Sequence, residues 1–351
     1  MSLALLPPDF DVNDVDILRA VNTANRSLAK LDGLVFHLPR YDMLLQPLTA
    51  REAVASSEIE NIRTTALDIL QAELLDDKDT LPQAQKETIN YREALLKGYE
   101  LVQEKECIAT NTIVDIQRIL EPSKSGIRTQ MGTVIMDGFG KVVYEPPQRE
   151  REIRDLLANL DEYTNNKDEV IDPLIRLAVI HYQFEAIHPF YDGNGRTGRI
   201  LMILYLVLTG RLQYPVLFLS GYVLANKNRY YKLLNDVTQK QAWKEWVLFI
   251  LEGVQMQAEE TTHRVETMSR LKLKWKKRLK AEYPKLYSFE VLDYLFGHAF
   301  YTQTHMSKKV SLSRPTVAKY LENLRDDGLL KDKRVGKERL YFIPELLEIL
   351  Q

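Results

Sequence analysis

The stretch HPFYDGNGRTGR, residues 188–199, separates two helical patterns, PLIRLAVIHYQFEAI before it and a helix expected from Thr197 to Leu208 after it. Pro189 disfavours helical geometry at the residue before it, so His188 is expected at a helix end. Gly193, Gly195 and Gly198 let the backbone turn tightly and approach a ligand without Cβ clashes. The loop therefore opens onto a helix N-terminus, where unpaired N–H groups and the positive end of the dipole make an anion site. Arg196 and Arg199 add two forked cations suited to phosphate oxygens. Asp192 would repel a bare phosphate, yet it is the hard oxygen ligand that a phosphate-bound Mg²⁺ needs. His188, with an unperturbed pKa near ~6.5, suits proton abstraction at neutral pH.

Other readings of the loop are poorer. No Lys-Ser/Thr follows the glycines, so it is not a Walker A, and Arg196 falls where an EF-hand needs an oxygen ligand. His181, Glu185 and His188 could share a helix face, but not in the HExxH arrangement of a zinc site. A helix-linking turn with a buried histidine and solvated arginines is the structural alternative.

The 351-residue length predicts two or three domains, and 45% apolar with 27% charged residues is the balance of a soluble globular chain. A formal net charge of -2 argues against a chain that lives on nucleic acid as a whole. The single cysteine, Cys107, has no internal disulfide partner and fits a reducing cytoplasm. Pro7 and Pro8 interrupt the N-terminal apolar run, which does not read as a signal peptide, and Ile200–Gly210 is too short to span a bilayer. No membrane partner is expected.

A mostly helical fold is expected, organised as an N-terminal helical region (1–105), a catalytic core (106–255), a connecting helix (256–284) and a C-terminal domain (285–351). Thr49-Ala50-Arg51-Glu52 has the S/T-x-x-E form of a capping box, which predicts a helix starting there with Ala53 and Ile59 facing inward. A polar loop is expected at 76–83 and a helix end near Gln103-Glu104-Lys105. Residues 132–145 read as a hairpin turning at Asp137-Gly138, marginal alone and so needing a helical body or a partner strand. After 285 the order helix, helix, helix, β-wing is that of a winged helix-turn-helix. That tail holds 11 Lys+Arg against 9 Asp+Glu, only slightly basic for a DNA reader.

HPFYDGNGRTGR fits the HxFx(D/E)GNGRxxR signature at every defined position, and the chain thereby resembles the Fic domain family. The resemblance implies a Fic helical bundle with a β-hairpin flap, and transfer of AMP from ATP to a protein hydroxyl of Tyr, Thr or Ser. It makes His188 the base, Phe190 the buried anchor, and Asp192 the holder of Mg²⁺ against the α- and β-phosphates. Gly193, Asn194 and Gly195 become the anion hole. Arg196 contacts phosphate, Arg199 pairs with the γ-phosphate, and Thr197 and Gly198 complete the ATP-binding stretch. The intact GNGR favours AMP transfer over phosphate transfer.

SSEIEN, starting at Ser56, resembles the family's inhibitory motif (S/T)xxxE(G/N), with Ser56, Glu60 and Asn61 at its defined positions. By that resemblance Glu60 pairs with Arg199 and displaces the γ-phosphate; some relatives also use this glutamate to remove AMP. The hairpin 132–145 resembles the flap that docks the target by β-augmentation. LSGYVLANKNRYY, from Leu219, resembles the segment over the adenine, with Tyr222 and Asn226 as the chosen contacts. Self-modification, a homodimer and DNA on the winged helix are further implied partners. The alternative is a winged-helix DNA-binding regulator with a nucleotide-sensing Fic core, although sensing ATP does not require a base at 188.

Overall fold

The computed structural model describes all residues except 1–2, 37–41, 73, 75–80, 137–139, 141, 168–169, 336–337 and 351. The turn expected at Asp137-Gly138 and most of the 76–83 loop lie outside the described residues. The helices in chain order are α1 (Val15–Phe36), α2 (Asp42–Ile59), α3 (Ala66–Ala72), α4 (Gln83–Lys105), α5 (Thr110–Leu120), α6 (Glu150–Asn165), α7 (Pro173–Ile187) and α8 (Asn194–Leu208). They continue with α9 (Leu219–Ala225), α10 (Lys227–Lys240), α11 (Trp243–Glu282), α12 (Phe289–Gly297), α13 (Gln303–Lys309), α14 (Arg314–Asp326) and α15 (Pro344–Leu350). Strands β1 (Ile135–Met136) and β2 (Val142–Tyr144) form one antiparallel hairpin, β3 (Lys331–Val335) and β4 (Glu338–Phe342) another.

Helices α7 and α8 form the centre. Every residue of α7 from Leu174 to Ile187 is buried, as is nearly all of α8, and α8 is apolar around its whole circumference from Ile200 to Leu204 while the polar residues of both helices face the loop or pair internally. Helices α4, α5, α6 and α11 pack around the pair. Gly98 lets α4 approach α8 and α5 closely: a Cβ there would stand 2.6 Å from Leu204 Cδ1 and 3.0 Å from Ile116 Cδ1. Trp246 on α11 donates its indole N–H to the Ala178 carbonyl at 2.8 Å, tying the 40-residue α11 to α7.

The start of α2 differs from the expected capping box. The chain is already helical at Asp42, and the Thr49 hydroxyl donates back to the Gln46 carbonyl at 3.3 Å. The Glu52 carboxylate is committed to Tyr91 and Ser220, so it cannot reach back to an N-cap. Ala53 and Ile59 are buried as expected. Helix α8 also begins earlier than expected, at Asn194, because Gly193 takes the left-handed turn (φ 79) and the helix follows directly.

Helix α11 runs unbroken through position 255 to reach the C-terminal unit. There α12, α13 and α14 start on side-chain caps from Ser288, Thr302 and Ser313, and β3 pairs with β4 from Lys331–Phe342 to Val335–Glu338. Helix α12 lies against α2, and α15, which the sequence pattern did not suggest, lies against α11. Arg264 on α11 donates to the Ile349 carbonyl at 2.5 Å. Among the described residues no helix is long and apolar enough to cross a membrane.

Candidate active site

The loop that joins α7 to α8 is closed by its own side chains. His188 leaves α7 in the left-handed region (φ 48), with its N–H on the Phe184 carbonyl at 3.0 Å. The Asn194 amide brackets Phe190, accepting from its N–H and donating to its carbonyl, both at 2.9 Å. Phe190 is buried beside Phe184. The first N–H groups of α8, from Asn194, Gly195 and Arg196, have no intrahelical acceptor and mark its positive end. The N–H of Thr197 is spent on the Gly193 carbonyl at 2.9 Å. Gly198 faces α7, where a Cβ would meet Glu185 Oε1 at 2.3 Å.

Glu60 lies over this positive end. Its Oε1 is 2.5 Å from where a Cβ on Gly195 would stand and 2.9 Å from Arg199 Nη2. Arg199 is buried, and its Nε and Nη2 also reach the Ser56 hydroxyl and carbonyl, at 2.8 and 2.9 Å. Burial opposes its charge, but Glu60, with Tyr230, Tyr91 and Glu185 around it, keeps the guanidinium pKa raised. The structure places Glu60 against Arg199, the pair that the sequence reading named, and adds Ser56 as a further partner of the guanidinium.

Asn61 ends α2 with φ 65, its N–H on the Glu58 carbonyl at 2.9 Å, while the Ile62 N–H reaches back to Ser57 at 3.0 Å. Only Gly and a few residues such as Asn adopt this conformation cheaply, which accounts for the (G/N) position of the motif. Asn61→Val is expected to lower stability by about 1–2 kcal/mol because a β-branched residue is strained there. Asn61→Gly should be close to neutral. Thermal denaturation of the two variants checks this.

Two residues that the motif reading missed hold His188 and Asp192. Arg128 is buried and donates through Nε to the His188 carbonyl at 2.8 Å and through Nη2 to the Pro147 carbonyl, while its N–H meets the Pro189 carbonyl at 2.9 Å. It therefore joins the base of the hairpin to the loop. The Gln148 amide closes that base, accepting from the Gly132 N–H at 2.7 Å and donating to the Thr133 carbonyl at 2.8 Å. Lys124 places its ammonium 2.6 Å from Asp192 Oδ2. Nothing in a local sequence window pairs Arg128 with 188 or Lys124 with 192.

Burial works against the Asp192 charge, yet Lys124, the Gly193 N–H and Arg196 hold its pKa below the usual carboxylate value. Arg196 is buried and points to α5, with Nη2 2.5 Å from Glu121 Oε1 and Nη1 3.8 Å from Glu87. The phosphate contact expected of Arg196 from the sequence would require exchange of those partners. Burial also pushes the His188 imidazole down to about 4, against the raising effect of the Glu185 carbonyl, so the ring is neutral at pH 7. Neutral imidazole is the form that can accept a proton.

His181 does not join a metal cluster with Glu185 and His188: its Nε2 meets the Tyr230 hydroxyl at 2.9 Å and its ring stacks near Trp246. Tyr222 is buried against Phe249, with ring centroids 5.0 Å apart. Asn226 donates to the Tyr222 carbonyl at 3.0 Å. The segment carrying both is fastened to α2, since Lys227 reaches the Ile59 carbonyl at 2.5 Å.

Fold and site together define a helical bundle in which a glycine-rich loop and a helix N-terminus, covered by Glu60, lie beside a neutral histidine, and comparison with known proteins gives the family. The family model described as Fic/DOC family matches residues 107–206, Fic/DOC family N-terminal matches 18–100, and Protein adenylyltransferase SoFic-like, C-terminal domain, matches 271–346. The chain belongs to the Fic/DOC family. It is 31% identical over 174 residues to a probable protein adenylyltransferase of Aquifex aeolicus, covering 48% of this chain and 51% of that protein. It is 29% identical over 140 residues to the Protein adenylyltransferase Fic of Nematostella vectensis, covering 39% of this chain and 30% of that protein. The matches thus span about half or less of these relatives. A Fic family protein from Desulfovibrio desulfuricans shares the fold with TM-score 0.60 at 19% identity, over 97% of this chain and 99% of that one. Fic-1 of C. elegans does so with TM-score 0.55 at 21% identity, over 73% and 74%.

Proposed function

We propose that the chain is a protein adenylyltransferase that moves AMP from ATP to a Tyr, Thr or Ser hydroxyl of a target protein and is held in check by Glu60. One observation carries the reading: a carboxylate, Glu60, covers the N-terminus of α8 and is paired with Arg199, so an anion-binding position is filled by an internal anion. The Mg²⁺ that accompanies ATP fits the site in kind, since Asp192 offers hard oxygens and already faces a cation, Lys124. When bound, the metal supplies charge neutralisation on the phosphates.

The chain's own residues do the rest. The target segment pairs with the edge of the hairpin 132–145, whose Met136 and Val142 are exposed, and this brings its hydroxyl to His188. The neutral His188 takes the hydroxyl proton as the oxygen forms its bond to the α-phosphorus. The bond from the α-phosphorus to the bridging oxygen breaks, and pyrophosphate leaves. The N–H groups of Asn194 and Gly195, that of Gly193 once Asp192 releases it, and Arg196 orient the phosphates, and Arg199 holds the γ-phosphate once Glu60 withdraws. In a separate hydrolysis, Glu60 orients water against the phosphorus of the AMP-modified side chain; the bond to the side-chain oxygen breaks, releasing AMP and the free hydroxyl. Tyr222 and Asn226 would flank the adenine, the C-terminal unit is read as a winged helix, and the cytoplasm supplies the nucleotide.

Incubation of Glu60→Gly protein with Mg²⁺ and α-labelled ATP tests the reading. Label is expected on the protein itself or on a lysate target. No label on either would sink it, and DNA retardation by the same protein, surviving His188→Ala, would favour the regulator instead.

A further inference from the structure

Glu52 lies on α2 two turns upstream of Glu60, which follows the helix end at Ile59, and the spacing 52, 56, 60 carries Glu52, Ser56 and Glu60 along one side. Ser56 and Glu60 hold Arg199. Glu52 holds two other helices. Its carboxylate accepts from the Ser220 N–H at 2.9 Å, from the Ser220 hydroxyl, and from the Tyr91 hydroxyl at 3.0 Å. Ser220 is in the first turn of α9, where helix N–H groups lack internal acceptors, so Glu52 caps that helix from outside. Tyr91 belongs to α4 and is fully buried, as Glu52 is.

A buried carboxylate is costly unless every acceptor is used, and an apolar residue would fill the same space more cheaply. AMP transfer has no step for Glu52. Its three bonds instead fix how far α2 sits along α4 and α9, and Ser56 follows one turn later on the same face. A small slide of α2 would separate the Ser56 hydroxyl and the Glu60 carboxylate from the guanidinium they share.

We propose that Glu52 is a positioning residue of the brake, fastening α2 to α4 and α9 so that Ser56 and Glu60 meet Arg199. This rests on reading Glu60 as the brake. Glu52 makes no hydrogen bond to the loop or the hairpin; it feels the Arg199 charge and reaches the brake through α2. Because α9 carries Tyr222, the fastening also links the brake to the segment proposed over the adenine.

The test is a double-mutant cycle on the full chain, reading initial label transfer from α-labelled ATP. Glu52→Ala is expected to raise the wild-type rate about 5-fold or more, the scale set by losing bonds to a charged group. In the Glu60→Gly background it should change the rate less than about 2-fold, because no brake is left to misplace. Glu52→Gln keeps an acceptor for the Ser220 N–H and should return the rate close to wild type. Tyr91→Phe removes the bond to Glu52 and the hydroxyl's contact with Ser56 without a cavity, so it serves if Glu52→Ala fails to fold, and it should raise the rate about 2-fold in the wild-type background alone. An unmoved wild-type rate in both Glu52→Ala and Tyr91→Phe, or the same fold-change in both backgrounds, overturns the proposal. Amide hydrogen exchange over 53–61 reads the fastening without any transfer: faster exchange in Glu52→Ala supports it, and unchanged exchange overturns it. Absence of transfer in Glu60→Gly alone would instead strike the proposed function.

Discussion

Glu60→Gly protein, supplied with Mg²⁺ and α-labelled ATP, is expected to transfer label about 10- to 100-fold faster than wild type, the range that one charge-assisted bond to a buried partner commands. The substitution removes the carboxylate from above Gly195 and frees one Nη2 contact of Arg199. It does not strand the guanidinium, because Ser56 still accepts from Nε and Nη2. Arg199 therefore stays placed, with its charge available to a phosphate. Steady-state initial rates at equal protein concentration read this directly, and equal rates would remove Glu60 from any inhibitory role.

The second large effect is on the base. His188→Ala in the Glu60→Gly background is expected to lose about 10²- to 10⁴-fold in transfer, the usual worth of a positioned proton acceptor. The pH profile sharpens the assignment. Burial lowers the His188 pKa from its ordinary value to about 4, so the base is neutral above that pH and protonated below it. The rate should hold as pH falls through 6.5 and decline only on approach to about 4. Glu60 itself raises the pKa, so its removal moves the limb further down, not up. The profile of kcat/KM reports the free enzyme and is the one to measure. An acid limb near ~6.5 would mean an exposed, unperturbed imidazole.

The loop was legible because its chemistry is contiguous. Base, carboxylate, glycines and two arginines fall within twelve positions, and the helix that follows needs no distant partner to be recognised. Ser56 and Glu60 were legible through the resemblance of SSEIEN to the family's inhibitory motif, since a four-residue spacing alone reads as a solvated helix face. The supporting contacts were not. Glu52 meets Ser220 across 168 positions, Arg128 meets His188 across 60, and Lys124 meets Asp192 across 68. Such pairs have no local signature, because any charged residue on a helix reads first as solvated.

The misplaced start of α2 has the same origin. Thr49 and Glu52 have the spacing of a capping box, and only tertiary packing commits Glu52 to α4 and α9. The pattern was present and its partners lay elsewhere. Helix α15 went unread because Pro344–Leu350 is seven residues, too short for periodicity to distinguish it from a strand or loop.

The bonds from Ser56 and Glu60 converge on Arg199, whose ion-pair partner among the described residues is Glu60. If Glu60 and the terminal phosphate of a nucleotide compete for it, the competition appears in binding without any target protein. The measurement is the affinity of ATP relative to ADP, by calorimetry with Mg²⁺, for wild type and for Glu60→Gly. Wild type should bind the two nucleotides about equally, whereas Glu60→Gly should prefer ATP by about 10-fold, or about 1.4 kcal/mol. The same ATP-to-ADP ratio in both proteins would contradict a shared Arg199.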